Sequence, residues 1–355
     1  MSRPARVEID VSAATHNLST VQSLIGSSKI LAVVKADAYG HGLGLIAKGF
    51  GNADAFGVVS TEEAIVLREL NIPHRIVLLE GFFDKRELEI IRELRLEPVV
   101  HSHAQIEILR ESGLTLSAIW LKIDTGMNRL GFDATALDDV YKKLRPLSGN
   151  IILMSHLANA NLPNNLSVEE QIKKFGDVTL EYSNEKSLAN SGGVLKWRSS
   201  YFDWVRPGLI LYGVSPFPGV AAESLGLKPV MKVLSNLISV RHVKAGEPVG
   251  YGGDYVCPED MTIGVAAYGY ADGYPRRLET GPPVLVRNAR AKIVSSSMDM
   301  MILDLRGVEN PKIGDEVTLW GKNLPVEEVS TALDTIPYEL LCSVRRRSRH
   351  REFMV

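Results

Sequence analysis

The stretch Ile30-Leu31-Ala32-Val33-Val34-Lys35-Ala36-Asp37-Ala38-Tyr39-Gly40-His41-Gly42 decides how this chain is read. Its first five residues are aliphatic with no polar position, the pattern of a parallel strand buried on both faces. Lys35 then stands at the strand's exit. An ammonium group is costly to bury, and desolvation turns a lysine toward a nucleophile or a base. Tyr39, Gly40 and Gly42 follow with a hydroxyl and a backbone that can approach a ligand closely. A lysine snorkelling beside an ordinary glycine turn accounts for the same residues. On this window alone both readings stand.

Outward from it, short apolar runs alternate with longer stretches of helical period. The strand candidates are Ile30–Val34, Ala55–Val59, Ile76–Leu79, Pro98–His101, Ala118–Ile123, Ile151–Ser155, Ser187–Ala189 and Trp204–Tyr212. Amphipathic stretches at Thr61–Leu70, Asp84–Leu94 and Val168–Tyr182 lie between them, the first with a capping signature of Ser60 or Thr61 followed by glutamates. Eight strands with intervening helices predict an α/β architecture, an N-terminal (β/α)8 TIM-like barrel. After residue 225 the pattern becomes all-β, with runs at Val230–Val243, Ile263–Ala267, Val284–Val286, Ala291–Val294, Met301–Leu305 and Glu316–Trp320 between Gly- and Pro-rich turns. The expected division is a barrel of residues 8–225 and a mostly-β domain of residues 226–355, the latter joined by residues 1–7.

A chain of 355 residues is long enough for both. A net charge of -2 offers no global field for nucleic acid or anionic lipid, so neither is an expected partner. Two cysteines, Cys257 and Cys342, make no disulfide framework, and a reduced, cytoplasmic setting is the expectation. No apolar run has the length of a membrane span, and the first residues do not read as a signal peptide. Histidine and cysteine lack metal-ligand spacing, so no metal is expected. The basic tail Arg345–Arg351 reads as a solvated or subunit-contacting terminus.

A barrel enzyme builds its site at the C-terminal tips of its strands. Those tips here hold Lys35 and Tyr39, the run Lys122 to Gly131 with Arg129, His156, Asn190-Ser191-Gly192-Gly193, and Arg206-Pro207-Gly208. Taken singly, each has a structural reading. His156 can be a core histidine, Arg129 can pair with Asp124 or Asp133, Arg206 can bridge to Asp203, and the Asn190 segment can be a turn. Their joint placement at one rim favours function. Ser191 and Gly208 occupy the loops after strands seven and eight, where barrels commonly bind phosphate. No Walker loop or GxGxxG competes for that role.

These motifs together resemble the alanine racemase family over nearly the whole chain. The resemblance implies that pyridoxal 5'-phosphate (PLP) is held covalently by Lys35. It places Tyr39, Ser191, Gly208, Leu209 and Tyr338 at the phosphate, His156 beside the pyridine ring and Arg206 at the pyridine nitrogen. It gives Arg129 and Met298 to the substrate and marks Lys122 as a lysine that can be carbamylated. Tyr251, in Gly250-Tyr251-Gly252-Gly253, is similar to a catalytic base that reaches the partner subunit's barrel, which implies a homodimer with shared sites. Tyr270 is its rival, and the resemblance puts that residue in the entry channel. Departures occur at Ser295-Ser296-Ser297 and at the Arg-rich ending.

The implied activity is racemisation of alanine, making D-alanine for peptidoglycan, with Lys35 and Tyr251 as bases on opposite faces of Cα. A broad-specificity or serine racemase and a PLP decarboxylase share the scaffold. A PLP-binding homeostasis protein would need the Lys35 segment and the phosphate loops but not Tyr251, Arg129 and Met298 together.

Overall fold

The computed structural model describes residues 3–162, 164–278, 281–344 and 349–353. Arg345, Arg346, Arg347 and Ser348 of the basic tail lie outside the described residues. The chain opens with strand β1 (Arg6–Asp10) and a helix at Val11–Ile25, which is not among the elements expected from sequence. Its signal was local: Asp10 accepts a bond from the Ala13 N–H, and Leu18, Val21 and Ile25 fall on one buried face.

Eight parallel strands then close on themselves: β2 (Lys29–Val33), β3 (Ala55–Val58), β4 (Arg75–Leu78), β5 (Leu96–Val100), β6 (Ile119–Asp124), β8 (Ile151–Met154), β9 (Lys186–Ser187) and β10 (Trp204–Val205). A short strand β7 (Phe132–Asp133) adds to the tip of β6. Closure comes from β5 pairing with β6 and β10 pairing with β2, so the sheet has no free edge there. At the opposite end from the functional rim, Glu97 takes two bonds from Arg75 and one from the Trp120 indole. Buried charge at that end is satisfied rather than poised.

The eighth strand is shorter than its apolar run. Pro207 has no N–H to donate, and Gly208 turns at φ -125°, ψ -86°, so Leu209–Tyr212 forms a 3-10 turn instead. Those four residues are buried on all sides, and periodicity alone cannot tell such a run from a strand. Likewise the seventh strand is Lys186–Ser187, and the helix expected to reach Tyr182 ends at Val178.

The second part is built on the long strand β11 (Met231–Val243). It continues through β12 (Pro248–Val249), β13 (Tyr255–Val256), β14 (Met261–Ala266), β15 (Pro283–Val286), β16 (Ala289–Ser296), β17 (Met301–Asp304), β18 (Glu316–Trp320) and β19 (Arg349–Phe353). Strand β11 pairs with β18 through one half and with β14 through the other, closing a ring that runs β14, β17, β16, β15, β18. On its other flank β1 pairs antiparallel with β11, so the N-terminus belongs to this sheet. Two helices, Val326–Ala332 and Pro337–Ser343, bring the chain back over the barrel rim.

Candidate active site

A cavity of about 560 Å³ opens at the C-terminal end of the barrel. Lys35, Tyr39, Lys122, Arg129, His156, Ser191, Arg206, Gly208 and Tyr338 all line it. The size suits a cofactor with a small substrate.

Lys35 begins a segment of reversed handedness. Ala36, Asp37, Ala38 and Tyr39 have φ of 55°, 52°, 54° and 52°. Left-handed backbone costs an L-residue roughly 1–2 kcal/mol, so such a run persists only where its surroundings impose it. Several bonds do so here. Gly40 N–H donates to the Ala36 carbonyl at 2.9 Å, and Asp37 Oδ1 accepts from Leu43 N–H at 2.7 Å. Glu63 contributes from the helix Thr61–Glu69. Ser60 caps that helix, while the Glu63 carboxylate accepts from Val59 N–H and, at 2.6 Å, from Ala36 N–H. The capping signature was legible; its use to fix the residue after Lys35 was not.

The reversed turn aims Tyr39 inward. Its ring lies 4.7 Å from Tyr212 and 5.6 Å from Tyr338, and the Tyr212 hydroxyl donates to the Val33 carbonyl at 2.9 Å. A Cβ at Gly208 would stand 2.6 Å from the Tyr39 oxygen, so only glycine fits that close approach. Ser191 Oγ accepts from Gly208 N–H at 3.0 Å, which joins the loops after β9 and β10. Hydroxyls of Tyr39, Ser191 and Tyr338 thus meet a side-chain-free backbone, an arrangement that suits a phosphate. Burial raises the pKa of Tyr39, with Tyr338 and Cys342 adding, and pushes Tyr338 up to about 12. Both phenols are therefore neutral donors.

Arg206 is 4% exposed and is satisfied by neutral partners. Nη1 donates to Ser187 Oγ at 2.6 Å, and Nη2 donates to the Ser155 carbonyl and to His156 Nδ1 at 3.2 Å. Asp203 instead accepts from Lys186 N–H. Among the described residues Arg206 Nε has no hydrogen-bond partner, which leaves one donor for a ring nitrogen in the cavity. Burial pulls the Arg206 pKa down to about 10, so it stays charged at neutral pH. Burial first, then Arg206, Lys122, Arg129 and Lys35, drive the His156 pKa well below the usual imidazole value. A neutral His156 can accept from Arg206, as the geometry requires.

Lys122 is 7% exposed, and its pKa falls to about 8 through burial and then the charges of Arg206, Arg129 and Lys35. Arg129 makes no ion pair among the described residues. Asp124 is occupied with the N–H groups of Gly126 and Met127. Gln171, from the helix Leu166–Val178, braces this side by donating to Thr125 Oγ1 and the His156 carbonyl and accepting from Ala158 N–H. Gln171 and Tyr212 are supports that no motif announced, because each bonds an element remote in sequence. Cys342 also lines the cavity, a placement that no motif in the sequence signals.

Three expected site residues are not brought into the cavity within one chain. Leu209 is buried beneath Gly208 in the 3-10 turn and does not line it. Tyr251 is 85% exposed and lines a separate apolar recess with Val265, Met300 and Ile302. Met298 is 53% exposed on the same part of the molecule, and Tyr270 sits nearby on the turn Tyr270–Asp272.

Comparison with known proteins agrees over the full length. Residues 9–216 match the family model described as alanine racemase, N-terminal domain, and residues 230–352 match alanine racemase, C-terminal domain. A curated relative named alanine racemase from Shewanella sediminis is 46% identical over 347 residues, spanning 96% of this chain and 97% of its own. One from Nitrosococcus oceani is 45% identical over 344 residues, 96% of each chain. Among solved structures, the biosynthetic alanine racemase from Pseudomonas aeruginosa superposes with a TM-score of 0.96 at 40% identity, covering 99% of this chain and all of the other. That from Bartonella henselae, which carries covalently bound pyridoxal phosphate, gives 0.91 at 33% identity, covering 99% and 100%.

Proposed function

Since this chain belongs to the alanine racemase family, we propose that its rim cavity is where alanine is bound and inverted. The protein is a PLP-dependent racemase that interconverts L-alanine and D-alanine. One observation carries the assignment of the site: Lys35 shares a cavity with a hydroxyl-lined, side-chain-free cradle at Ser191 and Gly208 and with the free Nε of Arg206.

The residues present fit the cofactor. Lys35 would hold it covalently, Tyr39, Ser191, Gly208 and Tyr338 its phosphate, His156 its ring face and Arg206 its ring nitrogen, with Leu209 lying beneath Gly208 outside the cavity. When bound, PLP supplies the electron sink for charge left on Cα. Racemisation removes a proton from one face of that carbon and returns one to the other, so two proton-handling groups are required. The Lys35 amine serves one face. Tyr39 and Tyr338 are held protonated by burial and are poor candidates for the second. Tyr251 of the partner subunit serves that face, with Met298 closing the substrate pocket and Arg129 orienting the substrate carboxylate. The exposed Tyr251 and its apolar surround support a homodimer with shared sites.

Three further readings belong with this one. The molecule divides into a barrel of residues 8–225 and a β domain of residues 226–355 completed from the N-terminus; the pairing of β1 with β11 supports that completion and carries it past Val7 to the end of β1. Its setting is cytoplasmic and its D-alanine feeds peptidoglycan; no helix of the described residues is long and apolar enough to cross a membrane. Circular dichroism of L-alanine with added PLP should show loss of optical activity, with serine, lysine and arginine inverted at least tenfold more slowly. An equal rate with serine would sink the preference for alanine.

Lys122 is proposed to carry a carbamate. Carbon dioxide adds to a neutral amine, and the depressed Lys122 pKa of about 8 makes that form abundant above pH 8. The resulting negative charge would lie among Arg129, Arg206 and Lys35, the same cations that depress the amine. A 13C-labelled bicarbonate experiment should give a carbamate resonance that fades as pH falls from 8.5 to 6. An intact mass without added CO2 across that range would exclude it.

A further inference from the structure

Arg3 and Asp272 lie 269 residues apart and outside the cavity. The Arg3 guanidinium makes a two-pronged ion pair with the Asp272 carboxylate, Nη2 to Oδ2 at 2.8 Å, and also donates to the Asp299 carbonyl. The Asp272 side chain is wholly buried and that of Arg3 is 29% exposed. Desolvated, doubly bonded pairs of this kind are the strong ones and fix orientation as well as distance.

What they orient is specific. Asp272 Oδ2 also accepts from Gly269 N–H at 2.9 Å, which ties the turn Gly269–Gly273 into one piece. That turn is stitched backbone to backbone onto the loop with Met298: Tyr270 N–H donates to the Ser297 carbonyl and Ala271 N–H to the Met298 carbonyl, at 3.1 and 3.0 Å. The approach leaves no room for a side chain, since a Cβ at Gly269 would stand 2.3 Å from the Ser297 oxygen. At its other end the turn is bolted to the helix Pro337–Ser343, whose Ser343 hydroxyl donates to the Gly273 carbonyl at 2.6 Å. The same helix carries Tyr338 into the chain's own cavity. Arg3 closes this assembly by joining the turn to Asp299, the residue after Met298.

We propose that Arg3 and Asp272 are positioning residues for the racemase reaction, acting through Met298 on the pocket of the partner subunit. The N-terminal segment of each chain thereby sets how tightly the other chain's site binds alanine. The inference rests on the shared-site reading above, in which Met298 serves the second subunit.

Hybrid dimers test it with the holoenzyme. One chain carries Lys35→Ala and the other Tyr251→Phe, so a single site keeps both bases: Lys35 from the Tyr251→Phe chain, Tyr251 and Met298 from the Lys35→Ala chain. Adding Arg3→Ala to the Lys35→Ala chain should raise KM for L-alanine about tenfold with kcat within about twofold, the loss of one charged hydrogen-bonded clamp on binding. Placed in the other chain, it should leave KM within about twofold. Arg3→Lys, which keeps the charge but not the two-pronged geometry, should recover part of the affinity. An unchanged KM in the first hybrid overturns the proposal while leaving shared sites intact. So does a parallel fall of kcat, affinity and melting temperature, which would make the pair structural only. A hybrid without activity, where both parents bind PLP and dimerise, removes the shared-site reading and this proposal with it.

Discussion

Lys35→Ala is expected to lower racemisation by about 10⁴-fold or more, because it removes a base and the covalent hold on the cofactor together. The fold should survive the change. Lys35 stands at the rim, and the turn it opens is held by backbone bonds and by Glu63 rather than by its own side chain. The purified variant should therefore bind PLP only reversibly and lack the absorbance band of the covalently held cofactor. Retention of that band would mean that the other amine lining the cavity, Lys122, is the true anchor. An added small amine such as methylamine should restore part of the rate, since the lost group is an amine with open space in its place.

Tyr251→Phe is expected to lower turnover by about 10³-fold, within the range for loss of a positioned acid–base group. Its diagnostic is asymmetric. The equilibrium between the enantiomers is set in solution, so net conversion must fall equally in both directions. Exchange of the Cα proton with solvent carries no such constraint. In deuterated buffer, the variant should lose exchange from L-alanine far more than from D-alanine, which Lys35 serves. Similar small effects on both would show that the phenol is not a base. Because Tyr251 is exposed and away from the Lys35 cavity in a single chain, activity should also disappear on dilution to monomer.

Strands β2 to β6 could be read from sequence because each is a mostly apolar run buried on both faces, and the rim residues because a barrel concentrates chemistry at strand tips. Leu209–Tyr212 has the pattern of a strand yet forms a 3-10 turn for the complementary reason: full burial erases periodicity, and only Pro207 signals the break. The supports were less accessible. Tyr212 reaches Val33 across 179 positions and Gln171 reaches Thr125 across 46. Such pairings follow from the closed barrel, not from spacing. Tyr251 presents a different case, since its identity was plain from its motif while its partner cavity lies in no single chain. The reversed handedness at Ala36–Tyr39 left no trace in composition, because alanine and tyrosine are poor choices for left-handed backbone and Asp37 alone among the four tolerates it.

That strained segment is pinned from outside the barrel. A Cβ at Gly40 would stand 2.1 Å from the Leu341 carbonyl, and Tyr338 flanks the Tyr39 ring. Both neighbours sit on the last helix among the described residues, about three hundred positions downstream. A nascent polypeptide on the ribosome thus completes all eight barrel strands, and the Glu63 and Asp37 bonds of this turn, long before the helix that closes over it is made. The cavity that takes the cofactor is accordingly complete only once Tyr338 has arrived, so firm capture of PLP is expected of the finished molecule.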